Sequence, residues 1–409
     1  MTFDQTKQKV VETVPSRIRV FISAAEASGD LFGSHIMKEL KKQCGPDRVE
    51  FVGIGGPYMA AEGLESLFPI EDITAFGFFE VLPKLPLILR RMREVVNFLT
   101  NEKLDAILTI DAPDFHFRLL KRMHKVLKKR KSTVTAHFVA PSVWAWRKGR
   151  AKSISGLMDL LFCILPFEPD YFRPHGQEAL FMGHPLLETV NYSDERREAY
   201  RKTLDLDEKD QLVLLLPGSR ASEINRLLPK MLEVAEGLEK ERKKPLLFML
   251  PVAPNMKSVI EPYLADLSIQ VVLLTDMNQK YDAFAAADFA LAASGTVSLE
   301  LALMQTPHVI MYELPYLTGL LAKKLIKTPF VNLINILLTF EVVPEFLQER
   351  CDAELILEEV QEMLSSDVFQ NKQLDCFGQA IEQLKREDQT ASAYAVDVIL
   401  DALSHRSWR

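Results

Sequence analysis

Two turns in the second half of the chain put small residues where an aliphatic run gives way to helical spacing: Gly218-Ser219-Arg220 after 211–217, and Ser294-Gly295-Thr296 after 287–293. Turns of this composition expose backbone N–H groups and let a ligand approach closely, so the guest they suit is an anion, above all a phosphate. Each opens a segment with apolar residues at i, i+3 and i+4 spacing. The anion would therefore meet a helix N-terminus, with its free donors and roughly half a positive charge. Arg220 adds a further donor, and Glu300 places a carboxylate one helical turn beyond Ser294 for ribose hydroxyls. Taken singly, the first turn reads equally as a tight turn with a surface arginine, and the second as an ordinary helix cap. Together they point to a nucleotide diphosphate.

Other phosphate and metal chemistries lack their residues. Neither turn ends in Gly-Lys-Ser/Thr, kinase motifs are missing, and the eight histidines show no HExxH spacing. Asp205-Leu206-Asp207 formally matches a metal-binding carboxylate pair, but it sits in a charged linker rather than at a strand end. The sequence thus leads us to expect no catalytic metal and no cofactor.

In the first half, the run 105–111 ends in Asp111, a candidate general base; Asp111 or Asp114 capping the next helix is the competing reading. The turn 26–33 holds Glu26, Ser28, Gly29 and Asp30 after the first apolar run and mirrors the phosphate turns, though Asp30 also reads as a helix cap. The loop 140–152 sets Trp144 and Trp146 beside Arg147, Lys148 and Arg150. It suits a sugar and a phosphate, or else two packed tryptophans on a basic surface.

These residues need elements to position them. Apolar runs predict strands over 18–23, 49–54, 105–111, 133–139 and 159–165, and again over 211–217, 245–251, 269–275, 287–293 and 307–313, with amphipathic helices between. Continuously apolar strands alternating with helices imply parallel sheets covered on both faces. The expected class is α/β, with two doubly wound Rossmann-like domains facing across a cleft, where the carboxyl ends of the strands gather ligands. A chain of 409 residues also exceeds one core of roughly 150–200 residues. The charged stretch 191–210 marks the boundary: 1–187, 188–375, and a C-terminal helical segment 376–409 that can return to the first domain.

The net charge of −7 disfavours a general nucleic-acid binder. Four scattered cysteines (44, 163, 351, 376) form no CxxC pair and fit a reducing compartment. The first twenty residues lack a signal-peptide core, and the longest uncharged run is shorter than the roughly 18–20 residues of a spanning helix. The expectation is a cytoplasmic protein. Segment 76–99 nevertheless sets Phe78, Phe79, Leu82 and Leu85 next to Arg90, Arg91 and Arg93, and 317–330 repeats the pattern with Lys323, Lys324 and Lys327. Both suit shallow insertion among anionic lipids, or ordinary core helices with solvated charges.

The motifs EASGDLFG, DAPDF, PSVWAWR, LPFEPDYF, GHPL, LPGSRASEI, ASGTVSLE and EVVPEFLQE, in this order over nearly the whole chain, resemble the lipid-A-disaccharide synthase family of GT-B glycosyltransferases. The resemblance implies transfer of 2,3-diacylglucosamine from UDP to 2,3-diacylglucosamine 1-phosphate, with anomeric inversion and without a metal. It implies Asp111 as base, with Glu26 and His184 in reserve, and Arg220 on the departing UDP. Gly218, Ser219, Ser294, Gly295, Thr296 and Glu300 would bind UDP. Glu26, Ser28, Gly29, Asp30, Trp146, Arg147, His184 and Asn335 would bind the acceptor. It further implies a peripheral place on the inner face of the inner membrane, and it is compatible with a homodimer. At 333–341 the chain departs from the family pattern: Asn335 and Glu341 remain, but Ile334, Thr339 and Phe340 replace Pro, Gly and Arg, so a phosphate contact by that arginine is lost. Another lipid-linked transferase, a UDP-sugar epimerase and a silent nucleotide-sugar or lipid binder are the competing functions.

Overall fold

The computed structural model describes residues 15–74, 78–146, 149–241, 245–315, 319 and 328–406, with side chains at all of these but 78–82 and 254. The chain divides into two compact units, Met1–Pro185 with Leu384–Arg409, and Leu186–Gln383.

In the first unit, β1 (Ile18–Ala24), β2 (Val49–Ile54), β3 (Glu65–Ser66), β4 (Ala106–Ile110), β5 (Val134–Phe138), β6 (Leu160–Cys163) and β7 (Glu178–Phe181) form one sheet in the order β3-β2-β1-β4-β5-β6-β7. Every pairing is parallel. β4 and β5 are buried at every position, as strands covered by helices on both faces must be. The helix Ala391–Arg406 contributes Ala395, Val396, Ile399 and Leu403 to the same core as Ile36 and Leu40 of the helix Ala27–Cys44.

The second unit repeats the plan with β8 (Gln211–Leu216), β9 (Leu246–Pro251), β10 (Val271–Leu274), β11 (Phe289–Ala293), β12 (His308–Tyr312) and β13 (Glu345–Leu347), ordered β10-β9-β8-β11-β12-β13. The helix Ala221–Lys240 buries Ile224, Leu227, Leu228, Met231 and Val234, one apolar stripe at helical spacing. The predicted strands are all present. The three that the sequence pattern did not reveal, β3, β7 and β13, are short and lie at sheet edges, where burial asks little of the sequence.

In each sheet the order of strands reverses at one place, between β1 and β4 and between β8 and β11. At such a switch point the two outgoing turns diverge to opposite faces and leave a crevice. The turn after β1 holds Glu26 to Asp30, that after β4 Asp111, that after β8 Gly218 to Arg220, and that after β11 Ser294 to Thr296.

Candidate active site

In the first unit Asp111 follows β4 directly. Its amide donates to the Phe138 carbonyl at 3.0 Å, and Asp111 and Ala112 both take positive φ, 52° and 42°. The helix Pro113–Leu127 then starts with proline in its first turn and Ala112 as the cap residue, with no side-chain cap. Capping therefore accounts for neither carboxylate: Asp114 pairs with Arg150 at 3.0 Å. Burial raises the Asp111 carboxyl from its ordinary value, opposed by a hydrogen bond from the Ala112 amide. A desolvated carboxylate of this kind is a stronger proton acceptor than one in water.

Around the neighbouring turn, Glu26 is half-buried, Ser28 exposed and Gly29 buried. A Cβ on Gly29 would lie 3.3 Å from Ala24 Cβ and 3.4 Å from Ile110 Cγ2, so glycine there is what lets the turn close against β4. Asp30 turns away from the crevice. It is buried, and its carboxylate accepts the amides of Gly56, Tyr58 and Met59 at 2.8–3.1 Å, tying down the turn after β2. The acceptor role expected of Asp30 is thus replaced by a structural one. Trp146 is exposed and Arg147 lies outside the described residues. Trp144 donates from Nε1 to Glu168 at 3.1 Å; burial pushes that carboxyl up to about 7. His184 is buried, which lowers its imidazole to about 4.

In the second unit Gly218, at φ 104°, is exposed, and a Cβ there would meet Glu223 Oε2 at 2.4 Å. Arg220 is extended at the cap position of the helix Ala221–Lys240, without a side-chain cap, and pairs with Glu223 at 2.9 Å. Across the switch point Ser294 is half-buried, Gly295 and Thr296 are exposed, and the space beside Gly295 is open. Glu300 is buried, its oxygens 2.8 and 2.7 Å from Lys280 Nζ with Tyr281 Oη at 2.9 Å. Sequence reasoning missed Lys280 and Tyr281, which sit on the separate helix Lys280–Ala286 and carry no motif of their own. Asn335 is a second correction. Fully buried, it donates to the Val343 carbonyl and Glu345 and accepts the amides of Val342 and Val343, so its amide closes a loop and has nothing left for an acceptor.

The basic and apolar segment forms the helix Phe78–Asn101; the side chains of Phe78, Phe79 and Leu82 lie outside the described residues, as do Lys323, Lys324 and Lys327. Leu85 and Ile88 are half-buried and Leu89, Arg90 and Arg93 exposed. Arg90 pairs with Glu94 at 3.0 Å, and Arg91 is held between Asp72 at 2.7 Å and Glu94 at 2.6 Å. A cavity of about 350 Å³ opens beside this helix, lined by Leu85, Ile88, Met92, Glu26, Ala112 and Arg118 among others. Among the described residues no helix is long and apolar enough to cross a membrane.

A family model described as lipid-A-disaccharide synthetase matches residues 20–399. A lipid-A-disaccharide synthase of Gluconobacter oxydans is 39% identical over 94% of this chain and 91% of its own length. One of Rhodospirillum centenum is 36% identical over 95% of both chains. Among solved structures, a UDP-N-acetylglucosamine 2-epimerase from Neisseria meningitidis bound to UDP-GlcNAc is similar at TM-score 0.57 and 11% identity, covering 89% of this chain and 97% of its own. MurG of Acinetobacter baumannii is similar at TM-score 0.51 and 14% identity, covering 94% and 99%. At such identities these last two speak for the fold alone.

Proposed function

The chain belongs to the lipid-A-disaccharide synthetase family and is a glycosyltransferase that forms the lipid A disaccharide; from that premise we propose its substrates and the residues that act on them. The donor is UDP-2,3-diacylglucosamine and the acceptor 2,3-diacylglucosamine 1-phosphate. The acceptor 6-hydroxyl attacks the anomeric carbon of the donor while Asp111 takes its proton. The bond from that carbon to the diphosphate breaks with inversion, and UDP departs with the electron pair.

The observation that carries this reading is the place of Asp111, directly after β4 at the β1/β4 switch point with its amide and carbonyl both pinned, where burial also raises its carboxyl. A base poised nearer working pH is more effective, and positioned proton transfer is worth roughly 10²–10⁴ in rate. The leaving diphosphate is held by the amides of the Gly218 and Ser294 turns and by Arg220, each charge-assisted hydrogen bond contributing about 1.5–3 kcal/mol. Arg220 must turn from Glu223 to do so. Glu300, oriented by Lys280 and Tyr281, takes the ribose hydroxyls.

The acyl chains require an apolar setting beside polar chemistry. The cavity next to Glu26 and Ala112 supplies one, and the helix Phe78–Asn101, with Leu85, Leu89, Arg90 and Arg93, supports peripheral attachment to an anionic membrane from the cytoplasmic side. Incubating purified protein with both acylated sugars tests the reading: UDP should appear only when acceptor is present, together with a disaccharide monophosphate by mass. Acceptor-independent UDP release, or an epimerised sugar, overturns it.

A further inference from the structure

Beneath the Asp111 turn, three adjoining central strands carry buried polar side chains at one level of the sheet. Ser23 on β1 is in register with Thr109 on β4, and Thr109 with His137 on β5. All three are buried. His116, from the helix Pro113–Leu127, is fully buried and reaches this row from above: its Nε2 lies 2.9 Å from Ser23 Oγ and its Nδ1 2.7 Å from the Asp111 carbonyl oxygen. A carbonyl oxygen only accepts, so Nδ1 carries the proton and the Ser23 hydroxyl donates to Nε2. One tautomer satisfies both bonds. Burial lowers the His116 imidazole to about 4 and that of His137 well below its usual value, so both rings stay neutral while the enzyme works.

The carbonyl that His116 grips belongs to the first of two consecutive left-handed non-glycine residues. Such backbone persists only where its surroundings over-determine it, and it concentrates where geometry serves function. Here the Asp111 amide is held by Phe138 and its carbonyl by His116, so the residue is fixed at both peptide groups. Among the described residues the ionisable groups around this turn include Glu26 after β1, Asp114, Arg118 and Arg122 on the helix, Arg150 paired with Asp114, and neutral His137 on β5.

We propose, building on the assignment of Asp111 as base, that His116 seated on Ser23 is a positioning residue of the reaction: by holding the Asp111 carbonyl it fixes the turn that orients and desolvates the Asp111 carboxylate. Without it the turn relaxes and water reaches the carboxylate. A misplacement of about an ångström at a reacting group costs up to about a hundredfold in rate.

The test measures kcat, KM for the UDP-sugar and the pH profile of kcat in the full-length protein carrying His116→Ala, His116→Asn, Ser23→Ala or Asp111→Asn. His116→Ala should lower kcat roughly 10- to 100-fold with KM little changed, and should move the acid limb to lower pH as Asp111 regains water. His116→Asn, whose side-chain nitrogen can stand where Nδ1 stands, should restore most of the rate and the original limb. Ser23→Ala frees the ring without removing Nδ1; a smaller loss in the same direction is expected, and it carries the test if His116→Ala does not fold. Unchanged kcat and pH limb in the His116 and Ser23 variants, with Asp111→Asn inactive, overturns the proposal and leaves the base in place. A loss of rate with an unmoved limb and no rescue by asparagine overturns it too, as plain structural damage. An active Asp111→Asn removes the base assignment itself, and the proposal with it.

Discussion

In the proposed reaction the two units put one topology to opposite physical ends. At the switch point of the first, the turn after β4 consists of two left-handed non-glycine residues, half-buried and bound through their backbone. At the switch point of the second, the turns after β8 and β11 contain Gly218 and Gly295 and are largely exposed. A base gains strength from desolvation and from being unable to move, and left-handed backbone at a cost on the order of 1–3 kcal/mol per residue is tolerable where the surroundings hold it. An anion site needs the reverse: free N–H groups, room for a bulky diphosphate and a side chain that can swing. The comparison predicts that substitutions in the first unit act on turnover and those in the second divide between binding and departure of UDP.

The largest expected effect is that of Asp111→Asn, which keeps the size of the side chain but cannot take a proton. Turnover should fall by roughly 10²–10⁴, while UDP binding, measured by calorimetry, stays as it was. A mutant with near-normal kcat would break the contrast between the units at its root.

Arg220→Lys should cost about 10- to 100-fold in kcat, because an ammonium group cannot offer the planar fork that grips two phosphate oxygens in the departing UDP. If KM for the UDP-sugar rises and kcat does not, Arg220 acts on ground-state binding alone and the second unit is a passive cradle.

A pH profile sharpens the first half of the comparison. Asp111 must be ionised to act as the proposed base, and burial has raised its pKa. Activity should therefore be full above that raised value and fall about tenfold per pH unit below it, with the break above that of an exposed aspartate. A break at the value of an exposed aspartate would mean that desolvation plays no part.

The smallest effect concerns the membrane. Arg90→Ser with Arg93→Ser should weaken sedimentation with anionic vesicles at low salt, roughly fivefold per charge removed, without altering turnover of detergent-dispersed substrate. Arg91→Ser should lower thermal stability more than Arg90→Ser, since beyond a tie to Glu94 that both arginines make it also breaks the less exposed tie to Asp72. Equal sedimentation of the double variant and the wild-type protein would remove the helix Phe78–Asn101 from the membrane.

Much of this protein was legible before any coordinates. Parallel strands covered on both faces are mostly apolar, which is why β1, β2, β4, β8 and β11 announce themselves, and small residues at strand ends mark Gly218-Ser219-Arg220 and Ser294-Gly295-Thr296 as the turns proposed for the diphosphate. These are local requirements, written in neighbouring residues. The fates of individual polar side chains were not legible. Asp30 finds its partners 26–29 residues away at the turn after β2, Glu300 finds Lys280 on another helix, and Asn335 closes on Glu345. Asp30 and Asn335 looked like ligands for a substrate and Glu300 looked like a lone carboxylate, because a carboxylate or an amide in a motif reads alike whatever partners the fold brings to it. Only tertiary packing decides which hydrogen bonds a buried group makes, and only the same packing could remove water from Asp111 and turn an ordinary aspartate at a strand end into a candidate base.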